Sequence, residues 1–230
     1  MRQRHLVITV FIACVWVSAS AIAADPNEAV RPAQAAVIPC KGMIDQGLLD
    51  SIERRSETAM KAGADYLIYE IETYGGLVDA ADSIAKYFIQ TIASRARTVA
   101  YVQTEAISAG ALISVSCNDI IMRESTTIGD CAPITLGGTL EGVEREKAES
   151  FIRAAFQRAA EANGYPELLL KAMVTMQTEV GRVRNLSTGQ WEFFEGKNRP
   201  TDANEYDLDG AEEVVGSDEL LTLTASQALE

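Results

Sequence analysis

The strongest constraint on this chain is an alternation of strand-like and helix-like segments. Tyr66-Leu67-Ile68-Tyr69-Glu70-Ile71 reads as a strand, rich in β-branched and aromatic residues and bounded by turn residues. Thr73-Tyr74-Gly75-Gly76 breaks it. An amphipathic stretch follows, carrying Leu77, Ala81, Ile84, Ala85, Phe88 and Ile92 at helical spacing, and Thr98 to Gln103 then reads as a further buried strand. Upstream, Ala35 to Pro39 form a short strand. Asp45 caps a helix whose Leu48, Leu49, Ile52, Ala59 and Met60 share one face, and Gly63 closes it. Downstream, Ala109 to Ser116 read as a helix covered on all sides, and Asn118 to Met122 and Thr127 to Asp130 as strands. Such alternation implies the α/β class, with a largely parallel sheet and crossover helices.

The second half continues the pattern less regularly. Pro133 to Gly142 is an apolar loop containing Gly137-Gly138, suited to a binding flap or to a plain connector. Glu144 to Asn163 form a long helix with Phe151, Ile152, Ala155, Phe156 and Ala159 inward, ended by Gly164. Pro166 starts a short helix to Met173. Glu179 to Arg184 and Gln190 to Phe194 form a hairpin across Ser187-Thr188-Gly189. Thr201 to Glu219 is expected to be an acidic, irregular surface loop. Leu220 to Thr224 reads as a strand. Thr224 then caps a helix that has only begun at Glu230, so the chain is expected to continue.

The N-terminus reads as a targeting segment. Arg2 and Arg4 precede an apolar run from Leu6 to Val17, and Ala21-Ile22-Ala23 fits a cleavage site. Residues 1–23 are thus a signal peptide, with an uncleaved anchor as the alternative, and 24–34 a linker. The expected location is periplasmic or extracytoplasmic. Removing Arg2 and Arg4 leaves 18 basic against 33 acidic side chains, a net of −15. No basic patch is available to neutralise phosphates, so nucleic acid is excluded as a partner. Cys40, Cys117 and Cys131 remain. Cys117 and Cys131 could pair in an oxidising compartment, against the alternative of buried free thiols. His5 is the single histidine. A Ser-His-Asp triad and an imidazole-bound zinc are therefore excluded from the mature chain, and no metal or cofactor is expected.

Ser108 stands where the strand before it meets the helix after it, flanked by small residues in Ala106-Ile107-Ser108-Ala109-Gly110. A hydroxyl there is either a helix cap or a nucleophile beside free backbone N–H groups. Gly75-Gly76 ends the neighbouring strand on the same sheet edge, so the N–H groups of Gly76 and Ala109 could form a two-donor oxyanion hole. Without histidine, the base must be a lysine or a carboxylate. Lys61 and Lys197 read as solvated, and Lys86 lies on the polar side of its helix. Lys147 falls in the first turns of the long helix, where the helix dipole disfavours a cation. Glu144, Glu146 and Glu149 surround it, which suits an ordinary surface lysine equally well.

Taken together, Tyr69-Glu70-Ile71-Glu72-Thr73-Tyr74-Gly75-Gly76, Ala106-Ile107-Ser108-Ala109-Gly110, Ile128-Gly129 and Leu221-Thr222-Leu223-Thr224-Ala225 resemble the Clp-protease/crotonase superfamily. The similarity is greatest to its membrane-associated Clp-class serine proteases, the nodulation efficiency protein D (NfeD) type, partners of stomatin-like proteins. It spans nearly all of residues 35–230 in matching order. The resemblance implies a ClpP/crotonase-like α/β fold of repeated ββα/βαβ units. It implies a Ser–Lys dyad of Ser108 and Lys147, oxyanion donors at Gly76 and Ala109, and substrate contacts at Gly75 and Leu77. It also implies a membrane-tethered endopeptidase acting on extended apolar peptide, a homo-oligomer, and a stomatin-like protein as possible partner. The family turn usually reads Thr-Pro-Gly-Gly, and Tyr74 replaces the proline here, which bears on loop shape more than on chemistry. Two other functions fit the same residues: an inactive scaffold for stomatin-like membrane proteins, and a crotonase-type acyl-CoA enzyme, which export of the chain disfavours.

Overall fold

The centre of the molecule is β2 (Tyr66–Thr73), whose alternate residues Leu67, Tyr69, Ile71 and Thr73 are buried. In the computed structural model, which describes residues 31–135, 137 and 140–229, β2 lies between β1 (Ala35–Lys41) and β3 (Arg97–Ile107), both parallel to it. β3 is long enough to hold two further parallel neighbours. Its first half pairs with β4 (Asp119–Met122) and its end with β5 (Thr127–Gly129). β9 (Thr222–Thr224) adds antiparallel to β5 and completes a six-stranded sheet. Residues Ala33–Glu230 form one compact unit. The expected signal peptide lies outside the described residues, as do parts of the expected linker and of the expected flap.

The helices form where the sequence places them, and their caps explain their ends. Asp45 accepts the Leu48 N–H at 2.9 Å and starts α1 (Gln46–Lys61), which buries Leu49 and Ile52. α2 (Val78–Lys86) leaves the glycine turn directly and runs on into a π-helical turn, Tyr87–Ile92, that buries Phe88 and Ile92. The Phe88 ring stacks on Tyr69 with centroids 4.2 Å apart, and the buried Tyr69 hydroxyl meets Ser56 Oγ at 2.9 Å. α3 (Ala109–Val115) is buried throughout. α4 (Gly142–Asn163) ends at Gly164 in the left-handed region, φ 78°, and α5 (Glu167–Val174) follows Pro166. Cys40, Cys117 and Cys131 are free and buried. Burial pushes the Cys40 thiol up to about 12 and raises the other two well above their ordinary value.

One expectation fails clearly. Residues 201–219 are not an irregular loop, because Tyr206–Val215 form a ten-residue strand, β8. It pairs antiparallel with β6 (Val180–Asn185), whose other edge carries β7 (Trp191–Glu195), in a separate three-stranded sheet. Two of the acidic residues that argue for solvent are the cross-strand partners of arginines. Arg182 lies opposite Glu212, with an ion pair of 2.6 Å, and Arg184 lies opposite Asp207. Arg182 and Arg184 also sit over the Trp191 ring at 4.3 and 4.5 Å. A smaller difference falls at the C-terminus, where Gln227–Leu229 form a single 3-10 turn in place of the expected helix start. Thr224 Oγ1 accepts the Gln227 N–H there at 3.4 Å.

Candidate active site

The site is built by two turns at the ends of neighbouring strands. β3 ends at Ile107 and α3 begins at Ala109, so the whole change of direction falls on Ser108, at φ 55° and ψ −120°. That backbone suits glycine, and for serine it costs about 1–3 kcal/mol, which the surroundings must offset. They do so by four bonds. The Ser108 N–H donates to the Gly129 carbonyl at 2.9 Å, and the Ser108 carbonyl accepts the Ala111 N–H at 3.0 Å, the Leu112 N–H at 3.4 Å and the Cys131 thiol at 3.5 Å. Ser108 occupies the cap position of α3, yet its hydroxyl makes no capping bond. The half-buried oxygen is therefore left for other work.

The second turn is pressed against the first. Gly75 has φ 115°, and a Cβ there would lie 2.8 Å from Ser108 Cβ, 3.1 Å from its Oγ and 3.4 Å from the Ala109 nitrogen. Only glycine fits that gap. The Gly75 carbonyl accepts the Ile44 N–H at 3.0 Å, on the β1 side of the turn. Across a trans peptide the carbonyl and the next N–H point in opposite directions, so the Gly76 N–H is turned away from Ile44, toward the β3 side where Ser108 stands. Gly76 itself must be glycine, because a Cβ would lie 2.1 Å from the Ile44 carbonyl oxygen. Leu77 caps α2 and is exposed beside Val78. Tyr74 (81 % exposed) and Ile134 (88 %) are further large apolar side chains left in water.

The structure thus brings Gly75, Gly76, Ser108 and Ala109 together and places Lys147 apart. Among the described residues, Lys147 makes no hydrogen bond or ion pair. It lies on an outward face of α4 with Val143 (72 % exposed) and Phe151 (50 %). Side chains tie α4 to its neighbours: Asn163, at its end, donates to the Val115 carbonyl at the end of α3, and Arg158 ion-pairs with Asp82 of α2. Lys41, Lys86, Lys171 and Lys197 are held by carboxylates at 2.7–3.2 Å. The carboxylates beside Lys41 raise its pKa above the ordinary value, so it stays a cation.

Three contributors to the turn were not evident from the sequence: Thr73, Gly110 and Cys131. A threonine two residues before a turn glycine is a recognised hydroxyl-turn signal and could have exposed the first. A cavity of about 1060 Å3 elsewhere, lined by Tyr165, Leu169, Met173, Trp191 and Phe193, includes none of the expected site residues.

A largely parallel sheet opening at its strand ends onto a strained serine and a glycine turn defines an α/β domain with a candidate nucleophile at the sheet edge. The chain belongs to the NfeD1b N-terminal domain family, whose model matches residues 34–194. It is 33 % identical over 127 residues to the membrane protein NfeD1b of Bacillus subtilis, covering 55 % of this chain and 28 % of that protein. It is 29 % identical over 145 residues to the membrane-bound protease PH1510 of Pyrococcus horikoshii, covering 60 % of this chain and 32 % of that protein. The chain therefore spans about a third of the length of these curated relatives. Among solved structures, a lysine-to-alanine mutant of the 1510-N membrane-bound stomatin-specific protease in complex with a substrate peptide superposes with a TM-score of 0.56. It is 26 % identical and covers 64 % of this chain and 68 % of that one. Among the described residues of the present chain, no helix is long and apolar enough to cross a membrane.

Proposed function

We propose that residues 35–230 are a serine endopeptidase domain in which Ser108 attacks a peptide carbonyl, Lys147 in its neutral form accepts the Ser108 proton, and the N–H groups of Gly76 and Ala109 hold the oxyanion. Protonation of the leaving amine and attack by water on the acyl-enzyme complete the cycle. The observation that carries this reading is the strained Ser108, its backbone held by four hydrogen bonds while its hydroxyl caps nothing. The naming of the Pyrococcus horikoshii relative and of its solved N-terminal domain as a protease supports it. The exposed apolar Tyr74, Leu77, Val78 and Ile134 suit an extended, apolar substrate segment, such as one from a stomatin-like membrane protein. The working form is an exported, membrane-tethered homo-oligomer in which another copy covers the projecting face of Val143, Lys147 and Phe151, so that the amine is desolvated and meets a serine.

Active-site labelling tests the chemistry. A fluorophosphonate should modify the wild-type protein on Ser108, and casein should be cleaved, while Ser108→Ala abolishes both with folding retained. A purified Ser108→Ala protein that still cleaves casein would remove the assignment. Sedimentation of Phe151→Asp tests the assembly, which should dissociate. The placement of Lys147 favours one other reading, an inactive scaffold that binds stomatin-like proteins. That reading predicts neither labelling nor turnover in the wild type.

A further inference from the structure

We infer that Thr73 is a positioning residue for the oxyanion-binding turn: its side chain sets both the tilt of the 75–76 peptide and the distance of that turn from Ser108. The inference rests on the serine-hydrolase reading above and adds a residue that the reading does not require.

Thr73 is the last residue of β2 and is 3 % exposed. It follows an irregularity in the β2–β3 pairing, between Ile71 and Thr73, that re-aims the end of the strand. Its hydroxyl does two jobs with one proton. It donates to the Gly42 carbonyl at 2.5 Å, with a longer contact to the Gly75 carbonyl of the 75–76 peptide at 3.3 Å, and accepts the Gly75 N–H at 3.0 Å. Gly42 in turn donates its N–H to the Glu72 carbonyl at 3.0 Å, so the hydroxyl ties the glycine turn to the segment leaving β1. With the Gly75 N–H fixed by Thr73 and the Gly75 carbonyl fixed by Ile44, Gly75 is held from both ends. The 75–76 peptide, and with it the Gly76 N–H, is thereby held before an oxyanion forms.

The other branch of the side chain acts on α3. A Cβ at Gly110 would lie 2.5 Å from Thr73 Cγ2 and 3.4 Å from the Thr73 carbonyl oxygen. The threonine methyl therefore occupies the space that a side chain at residue 110 would need, and it rests on the first turn of α3. One residue thus touches both halves of the site: oxygen to the Gly75 turn, carbon to the helix that follows Ser108. Valine would keep the shape and lose the oxygen, and serine would keep the oxygen and lose the methyl.

The test compares Thr73→Val and Thr73→Ser in the full chain, with a fluorophosphonate as probe and hydrogen exchange of the Gly75 amide as a readout independent of activity. Thr73→Val should lower the limiting rate of Ser108 labelling by about 100-fold, with the half-saturating probe concentration within about 3-fold of wild type. Gly75 exchange should accelerate in the same variant. Thr73→Ser should keep Gly75 protected and label within about 10-fold of wild type. A valine variant that labels at the wild-type rate, or a serine variant no better than valine, overturns the inference. Should Thr73→Val not fold, Gly75 protection in Thr73→Ser decides: retained, it supports the role, and lost, it removes it. Wild-type protein that takes up no label sinks the hydrolase reading and this inference with it. Unchanged Gly75 exchange in a well-labelled Thr73→Val protein sinks this inference alone.

Discussion

Gly75 and Ser108 touch: a Cβ built on Gly75 would lie 2.8 Å from the Cβ of Ser108, closer than real Cβ contacts come. Gly75→Ala must therefore move the nucleophile or the turn, and at φ 115° alanine is strained in either case. The expected outcome is a loss of about 1–3 kcal/mol in stability, read by denaturant unfolding. Alongside it, labelling of Ser108 should fall by about 100-fold or more. An alanine variant with wild-type labelling would show that the two turns are not mechanically linked.

Ser108→Gly separates stability from chemistry in the opposite direction. Serine at φ 55° and ψ −120° is strained, and its hydroxyl gives no cap in return. Glycine relieves the strain, less its own entropic cost, so the variant should gain about 1 kcal/mol of stability while losing all labelling. Ser108→Ala, which keeps a Cβ at the same backbone angles, should gain nothing. Urea midpoints of the three proteins check this, and an unstabilised glycine variant would argue that the turn is relaxed.

Much of this arrangement is legible in the residues, and the exceptions share a cause. Asp45, Gly164 and Pro166 mark helix ends because caps and φ restrictions act locally. The Gly75-Gly76 and Ser108 turns are local too, and the sheet topology follows from alternation. What the sequence hides is set by partners far along the chain. The acidic run at 206–215 becomes a strand beside β6, where Arg182 and Arg184 lie opposite Glu212 and Asp207. Thr73 gains its role only because Gly42 and Gly110 arrive beside it. The face that Lys147 takes depends on where Asn163 and Arg158 anchor α4, which no spacing in the sequence reveals.

Acid sensitivity should centre partly on Asp119. The Arg97 guanidinium, bonded to both its carboxylate oxygens at 2.5 and 2.7 Å, holds the Asp119 carboxyl below its ordinary value of 3.8. A carboxyl whose folded pKa is depressed adds stability that is present above 3.8 and is lost as the pH falls through the folded value. The pair is partly solvated, so its contribution is about 0.2–1 kcal/mol and shrinks with salt. Asp119→Asn should therefore weaken the protein at pH 6 and make no difference at pH 2. Unfolding curves at the two pH values, at low and high salt, check the sign. An equal loss at both would mean that Asp119 acts through packing.

Lys147 allows the sharpest test of the dyad. It is exposed and unpaired among the described residues, so substitutions there should change stability by no more than about 0.5 kcal/mol. Lys147→Arg keeps the charge and nearly the length, but guanidinium does not give up its proton and cannot serve as a base. If Lys147 takes the Ser108 proton, Lys147→Arg should lose about 100- to 10,000-fold in casein turnover, as Lys147→Ala should, in protein that sedimentation shows to be assembled like wild type. If Lys147 only decorates the projecting face of α4, the arginine variant should work as well as wild type and the alanine variant nearly so. Turnover retained in Lys147→Arg, with Ser108→Ala dead in the same assay, would leave the nucleophile standing and send the search for its base to another residue.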